Sequence, residues 1–358
     1  MSIIELEQQE GKAATGRALE EIWFTRCPVP TATGLAYRLG WLSEEFAGDG
    51  IKVATIQEAP PALRRHHYDH EIPTLIREGG ALLALAARAQ GSPTRVIGLT
   101  WIEEAQSIIV RPNSGIRSAY DLRGKKLALP AFVHREIPAH VRGSSIWRGM
   151  SLHGYKGALA SVGLTLDDVA LVEVGSGHEG GDSGGVGNLG ALEAVALGHV
   201  DAAYAKGAAA VEAARRLGLD VGIDLDALPE RRFRVNNGTP RPITVHEDFL
   251  ERHFDVVARF LAQTLRAADW AASNLQGVYD ILKGETRAGD EGVSSAYRDG
   301  FHQSLHPDLS AERIELLRRQ KNFMLVHGIL DADFDLDAWL DPRPLAAAHA
   351  LLRKEGLQ

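Results

Sequence analysis

The chain has 358 residues, 45% of them hydrophobic, which exceeds the usual size of a single hydrophobic core and favours two globular domains. Its 47 acidic residues outnumber 39 Lys and Arg, giving a formal net charge of -8, and it has no basic run of the kind that follows a phosphate backbone. Nucleic acid is therefore not an expected partner, and no apolar run approaches the roughly 20 residues that a membrane span needs.

The first twenty residues, MSIIELEQQEGKAATGRALE, lack the basic start, apolar run and small-residue cleavage site of an export signal. The only cysteine, Cys27, cannot form an internal disulfide, which agrees with a reducing compartment. We therefore expect a cytoplasmic protein.

Short apolar runs then alternate with amphipathic segments. Predicted strands are EIWFT, GIKVATI, RVIGLTW, QSIIVRP, the end of AYDLRGKKLALP, VALVEV and VDAAYA. Predicted helices are GLAYRLGWLSEEFA, LLALAARA, GALEAVAL and GAAAVEAARRLG, and from about Thr244 the pattern becomes nearly all helical. This alternation is typical of an α/β fold with mostly parallel sheets.

Cys27 lies in TRCPVPTATG, directly after the first predicted strand. Ligands of open α/β sheets bind beyond the carboxyl ends of the strands, so Cys27 would face the ligand crevice. A helix that begins between Thr31 and Thr33 with a threonine cap would direct its positive end toward the sulfur and favour the thiolate. The alternative is that the cysteine is a small buried hydrophobe.

The segment HHYDHEIPTLIREGG leads into the predicted helix ALLALAARA. The amides of Gly79 and Gly80 could bind an anion at the start of that helix, and Arg77 could add a bidentate guanidinium. His66 and His70, four residues apart, could bind zinc, but no third ligand is evident. A solvated histidine-rich loop without a function is the other alternative.

A glycine-rich stretch, GSGHEGGDSGGVGNLG (residues 175–190), interrupts the alternation. It could cradle a phosphate, but it lacks the Gly-Lys-Ser/Thr ending of a P-loop. We interpret it as a mobile loop or lid between a strand and a helix.

Cys-Pro-Val-Pro after the first strand, followed by His67, Arg77 and Gly80 at their spacings, resembles the hydroxyphenyl-benzenesulfinate desulfinases of the dibenzothiophene-desulfurising pathway. These enzymes are similar to the sulfonate- and thiamine-precursor-binding proteins. Weaker similarity lies in SAYDLRGKKLALP, ALGHVDAAYAKGAA and LLRRQKNFMLVHGIL. Because TATGLAYRLGW and HHYDHEIPTLI differ from the biphenyl enzyme, the resemblance does not identify the substrate.

The resemblance implies a periplasmic-binding-protein-like fold of type II, with two α/β lobes, a ligand cleft between them and a helical C-terminal part. We expect residues 1–104 and 240–358 to form the lobe that carries the Cys/His/Arg site, and residues 105–239 to form the second lobe. The crossings between lobes would lie near residues 101–107 and 235–240, and the cleft would close on its ligand by a hinge motion.

The resemblance also implies a hydrolase that cleaves the carbon–sulfur bond of an organic, aromatic sulfinate and releases sulfite, with no metal or organic cofactor. Cys27 would be the nucleophile or the proton donor, and His67 would orient or protonate near its ordinary pKa. Arg77 and the amides of Gly79 and Gly80 would hold the anion.

Further substrate contacts are expected on both walls of the cleft. They would come from Tyr68 and His70 on the first lobe, and from Ser144 and Ser145, at the end of PAFVHREIPAHVRGSS, on the second. An apolar pocket could involve Tyr68, Leu75, Ile76 and Trp147, although core packing is the alternative for each.

The competing hypothesis is a solute-binding protein of an ABC transporter, which would capture a sulfonate or thiamine-precursor anion without catalysis and would dock on a permease. The fold alone does not separate the two. A thiol among the anion-binding groups and the absence of an export signal favour the enzyme. Pyrimidine synthesis, a third activity of this fold, calls for several cysteines, whereas this chain has one.

Overall fold

In the computed structural model, the described residues are 19–25, 29–64, 66–132, 145–175, 188–286, 293–294, 296–354 and 356. Cys27, Ser144 and most of the glycine-rich stretch (residues 176–187) lie outside them, so the predictions made for those residues stay predictions.

The strands are β1 (Glu21–Thr25), β2 (Lys52–Thr55), β3 (Leu75–Glu78), β4 (Thr94–Thr100), β5 (Gln106–Val110), β6 (Lys126–Pro130), β7 (Ala170–Val174), β8 (Ala202–Lys206), β9 (Asp220–Asp224) and β10 (Arg241–His246). The helices are α1 (Ala32–Arg38), α2 (Trp41–Ala47), α3 (Pro61–Arg64), α4 (His66–Asp69), α5 (Ala81–Ala89), α6 (Ile146–Ala160), α7 (Leu189–Ala196), α8 (Ala208–Arg216), α9 (Glu247–Arg252), α10 (Phe254–Ala272), α11 (Leu275–Thr286), α12 (Ala311–Val326) and α13 (Arg343–Lys354).

The described strands form two five-stranded sheets, in the orders β2-β1-β3-β10-β4 and β7-β6-β8-β5-β9. In the first sheet β1, β2 and β3 are parallel, and β10 runs antiparallel to β3 and β4. In the second sheet β6, β7 and β8 are parallel, and β5 runs antiparallel to β8 and β9. The sheets are thus mixed rather than mostly parallel, because β5 and β10 enter their sheets from the other sheet.

The chain passes to the second sheet after Thr100 and returns to the first sheet at Arg241. Both crossings coincide with the segments predicted for them, and the two α/β sheets with covering helices confirm the predicted fold class. The lobe boundaries at residues 104 and 239 stay a prediction.

Two hydrophobic cores carry most of the packing. One places α1 and α10 against the first sheet, with Phe24, Leu35 and Phe260 fully buried. The other joins α5 and β4 to the second sheet, α6 and α12. Because α12 follows β10 in the chain but shares the second core, the C-terminal helices contact both sheets. Among the described residues no helix is both long and apolar enough to cross a membrane.

The predicted strands and helices occur close to their predicted bounds, except that GLAYRLGWLSEEFA, predicted as one helix, forms the two helices α1 and α2, which Gly40 separates with its φ of 84°. The prediction missed β3, β9 and β10. In β3, LIRE, all four residues are buried although two are charged, so the hydrophobic pattern of a strand is hidden. Strand β10, RPITVH, begins with Arg-Pro and lies where the helical pattern was expected to start.

Candidate functional site

The carboxyl ends of the parallel strands β1 and β3 lie side by side at one edge of the first sheet. Thr25, the last residue of β1, is the register partner of Arg77, and its Oγ1 donates to the carbonyl oxygen of Glu78 at 3.1 Å. Thr31 caps α1, accepting from the Gly34 amide at 3.0 Å, which confirms the predicted threonine cap. Cys27 follows Thr25 by two residues in the sequence, and its approach to Arg77 stays a prediction.

Arg77 is buried, with 1% of its surface exposed. Its Nε donates to the His67 carbonyl oxygen at 3.4 Å, and its Nη1 donates to the Gly80 carbonyl oxygen at 3.3 Å. These bonds fix the plane of the guanidinium between α4 and the start of α5. The structure therefore brings His67, Arg77 and Gly80 together, as their spacing in the sequence suggested.

The start of α5 is already covered by Asn237. The Ala81 amide donates to the Asn237 carbonyl oxygen at 2.7 Å, and the Leu82 amide donates to Asn237 Oδ1 at 3.0 Å. The Gly79 amide donates to the Pro242 carbonyl oxygen at 3.3 Å. The prediction that the Gly79 amide binds the anion is therefore wrong, because strand pairing with β10 consumes that donor. Of the two glycine amides, only that of Gly80 has no acceptor among the described residues.

His67 and Tyr68 follow each other on the short helix α4, and their rings meet edge to face with centroids 5.3 Å apart. Nδ1 of His67 is buried and has no hydrogen-bond partner within the described part of the chain. Burial, with the charges of Arg77 and Arg241, lowers the pKa of His67 to about 3. The expectation of an ordinary pKa is therefore wrong, and His67 is a neutral imidazole at pH 7.

His70 ends α4 with a left-handed backbone, at φ 60°, and 1% of its surface is exposed. Its carbonyl oxygen contacts His246 Nε2, which ties α4 to β10. Burial, followed by the charge of Arg77, lowers the pKa of His70 well below its ordinary value. The ring is buried inside the lobe near Arg77, so His70 packs against the interior side of the site.

The second wall is formed by the first turn of α6. Ser145 precedes this helix and is buried, and a Cβ on Gly149, one turn later, would lie 2.2 Å from Leu82 Cδ2. The first turns of α5 and α6 therefore meet, whereas a contact of Ser145 with the substrate stays a prediction. Leu75 and Ile76 are fully buried core residues, and the partly buried Trp147 packs against the second core.

A second group of polar side chains, which sequence reasoning missed, lies beside this corner. We name it the crossing cluster: Glu78, Glu104, Lys206, Arg241 and Tyr297. Thr100 Oγ1 donates to Glu78 Oε1 at 2.9 Å, and Thr100 is the register partner of Arg241. The signal available in the sequence was weak: Arg-Pro after the second crossing, and a lysine that ends the β8 strand.

His66 and His70 do not form a metal site with their neighbours. His66 Nδ1 lies 3.8 Å from Glu71 Oε2 on the half-exposed side of α4, whereas His70 is buried. No group of three His, Cys, Asp or Glu side chains that could hold a metal ion occurs in the residues that the structure describes.

Comparison with known proteins gives two kinds of relative. Residues 35–140 match a family model described as NMT1/THI5 like. The chain is 25% identical to 2'-hydroxybiphenyl-2-sulfinate desulfinase of Rhodococcus erythropolis, over 90% of this chain and 92% of that protein. These matches confirm the resemblance predicted from Cys-Pro-Val-Pro and the His, Arg and Gly spacing.

Solved structures of both an enzyme and binding proteins have this fold. A cysteine-to-serine mutant of the desulfurisation enzyme DszB, in complex with biphenyl-2-sulfinic acid, superimposes with a TM-score of 0.73 at 23% identity, covering 92% of this chain and 99% of that one. The periplasmic sulfonate-binding protein SsuA of Methylobacillus flagellatus, from a putative sulfonate ABC transporter, superimposes with a TM-score of 0.69 at 18% identity. The match covers 96% of this chain and 97% of that one. At these identities the structural likeness establishes the fold alone.

Proposed function

We propose that this protein is a sulfinate desulfinase, which cleaves the carbon–sulfur bond of an aromatic sulfinate and releases sulfite. The observation that carries the proposal is the pairing of Thr25 with Arg77. It holds Thr25, two residues before Cys27 in the sequence, beside the buried guanidinium that already contacts His67 and Gly80. A thiol beside a buried cation would have little use in a protein that only binds anions.

Arg77 supplies the fixed positive charge that a sulfinate needs in a site with little water. Its bonds to two backbone carbonyls preorganise the guanidinium, so no reorganisation is needed when the anion binds. The Gly80 amide can add a hydrogen bond to a sulfinate oxygen. These two donors would hold the sulfur at the edge of the first sheet where β1 and β3 end.

The overall reaction takes one water molecule: its oxygen joins the sulfur, the carbon–sulfur bond breaks, and a proton goes to the carbon. Cys27 can serve in two ways. As a thiolate it would attack the sulfinate sulfur, and water would then release sulfite from the enzyme. As a thiol it would protonate the ring carbon, and the departing sulfur dioxide would be hydrated.

With its pKa lowered to about 3, His67 is neutral at pH 7, so it can hydrogen-bond to the Cys27 thiol but does not carry a spare proton. A bound anion would offset the charges of Arg77 and Arg241 and raise the pKa of His67. We therefore assign His67 the role of orienting or activating Cys27, and its charged form would arise only when substrate is present.

The test is to incubate the purified protein with benzenesulfinate and biphenyl-2-sulfinate and to measure sulfite. Cys27→Ser should abolish sulfite release while ligand binding stays within about threefold of the wild type, because the anion contacts are intact. Arg77→Lys should weaken binding by about tenfold or more, since a point charge cannot reproduce the bonds of the guanidinium plane. A Cys27→Ser variant that still releases sulfite would remove the thiol from the mechanism.

The alternative is a solute-binding protein for sulfonates, and the similarity to SsuA favours it. In that case the permease of a transporter would be the partner. Tight binding of sulfonates and sulfinates, with no sulfite from any sulfinate tested, would decide for this function.

A further inference from the structure

Three donors of the crossing cluster are buried with no acceptor in the described part of the chain. They are Arg241 Nε, Lys206 Nζ and Tyr297 Oη. Arg241 has 5% of its surface exposed and Tyr297 has 4%. Buried polar atoms normally have hydrogen-bond partners, and a buried cation without one is strongly destabilising. These atoms therefore indicate that a ligand group completes the cluster.

The two cations border a common space beside Gly238. A Cβ on Gly238 would lie 3.0 Å from Arg241 Nη2 and 3.5 Å from Lys206 Nζ. Arg241 begins β10 of the first sheet, whereas Lys206 ends β8 of the second, so the space lies between the two sheets. A larger residue at position 238 would place its Cβ in this space.

A purely structural ion pair does not explain the arrangement. Glu104 acts on both cations, Glu78 also acts on Arg241, and Asp226 also acts on Lys206. None of these carboxylates accepts a hydrogen bond from Lys206 Nζ or from Arg241 Nε. Nearby negative charge therefore does not satisfy these two donors, which need an acceptor within hydrogen-bond distance.

The chemistry of the three side chains defines the ligand group. Arginine and lysine only donate hydrogen bonds, and the tyrosine hydroxyl can also donate. A group with several acceptor atoms and a negative charge fits them, whereas a hydroxyl or an amide would not use both cations. A carboxylate has these properties and is matched by the planar fork of arginine.

We infer that the space between Arg241 and Lys206 is a second anion subsite, which takes a carboxylate carried by the same molecule whose sulfinate binds at Arg77. The substrate class would then be a sulfinate with a second acidic group. The inference rests on the proposed function for the identity of the first subsite. The two subsites are neighbours, because Asn237, which covers the start of α5 beside Gly80, directly precedes Gly238, and because the charges of Arg77 and Arg241 both act on His67.

The test uses stable sulfonates, so that binding is measured without turnover. Calorimetry would compare benzenesulfonate with 2-, 3- and 4-sulfobenzoate on the wild type, on Lys206→Met and on Lys126→Met. Lys126 is the matched control, because it is exposed at the opposite end of the same sheet. At least one sulfobenzoate should bind the wild type about tenfold or more tightly than benzenesulfonate does, and Lys206→Met should remove that preference.

Tyr297→Phe removes one hydroxyl and provides a second variant if Lys206→Met does not fold. It should weaken binding of the preferred sulfobenzoate about threefold and leave the affinity for benzenesulfonate unchanged.

Equal affinities of the wild type for all four ligands would overturn the second subsite, and so would equal losses of affinity for all four in the variants. Sulfite from benzenesulfinate without a sulfobenzoate preference would overturn the subsite alone. A sulfobenzoate preference without sulfite release would overturn only the desulfinase.

Discussion

Gly79 provides the space in which the guanidinium of Arg77 lies. A Cβ at position 79 would come within 2.5 Å of Arg77 Cζ and within 2.6 Å of both Nη atoms. Gly79 is thus required by the position of the arginine and not by a bound anion, which the sequence had suggested.

Gly79→Ala should therefore displace the guanidinium or strain the strand. We expect a loss of about 1–3 kcal/mol in the free energy of unfolding and a fall of about a hundredfold in sulfite release. Gly48→Ala is the matched control, since nothing lies within 4 Å of its Cβ position. Urea unfolding and the sulfite assay measure the two effects. Sulfite release by Gly79→Ala at the wild-type rate would show that the reaction does not depend on this position of Arg77.

Asn237 caps α5 from 155 residues away in the sequence. Asn237→Asp keeps an acceptor for the Leu82 amide but adds a negative charge beside Gly80, so we expect similar thermal stability and about tenfold weaker binding of benzenesulfonate. Asn237→Ala removes the acceptor and should cost about 1 kcal/mol of stability. Thermal denaturation and calorimetry distinguish these effects, and unchanged affinity in Asn237→Asp would contradict an anion site at this corner.

His67 should not titrate near neutral pH. Because its pKa is lowered to about 3, its ring proton signals in an NMR titration should stay constant between pH 8 and pH 5. The signal is assigned by its absence from the spectrum of His67→Asn. Adding benzenesulfonate should raise the pKa, since the anion offsets the nearby cations. A midpoint near 6.5 in the free protein would show that the imidazole is not held in this environment.

Buried histidines should make the protein labile to acid. His153 packs on Phe323 of α12, donates from Nδ1 to the Gly149 carbonyl oxygen at 2.9 Å, and has its pKa lowered to about 3 by burial. Below pH 6.5 the unfolded chain binds a proton that the folded chain does not, so stability falls as pH decreases and is constant above that range. The loss approaches about 1.4 kcal/mol per pH unit for each such histidine.

His153→Gln removes one of these groups while keeping a donor for the carbonyl oxygen. Urea unfolding between pH 7.5 and pH 5 should then show a shallower dependence of stability on pH, by about one proton. The wild type and the variant would have the same slope if His153 were solvated in the folded protein.

Local patterns in the sequence were enough to predict the α/β fold and the spacing of the candidate site. Most strands could be predicted because each is a short apolar run that is visible in the local sequence. The threonine cap of α1 could be predicted because it depends on residues within one helical turn. The spacing of the Cys, His, Arg and Gly residues indicated the resemblance to the desulfinases, because all four lie in one continuous part of the sequence. Whether Cys27 touches the anion, and in which compartment the protein works, stay predictions.

Which donors are available to a ligand depends on tertiary contacts. Asn237, in the turn before β10, occupies the Ala81 and Leu82 amides, and Pro242 of β10 occupies the Gly79 amide. The lowered pKa of His67 and the approach of Arg241 to Lys206 depend on burial by residues from distant parts of the chain. Asn237 and Leu82 are 155 positions apart, and no local period in the sequence records such a contact.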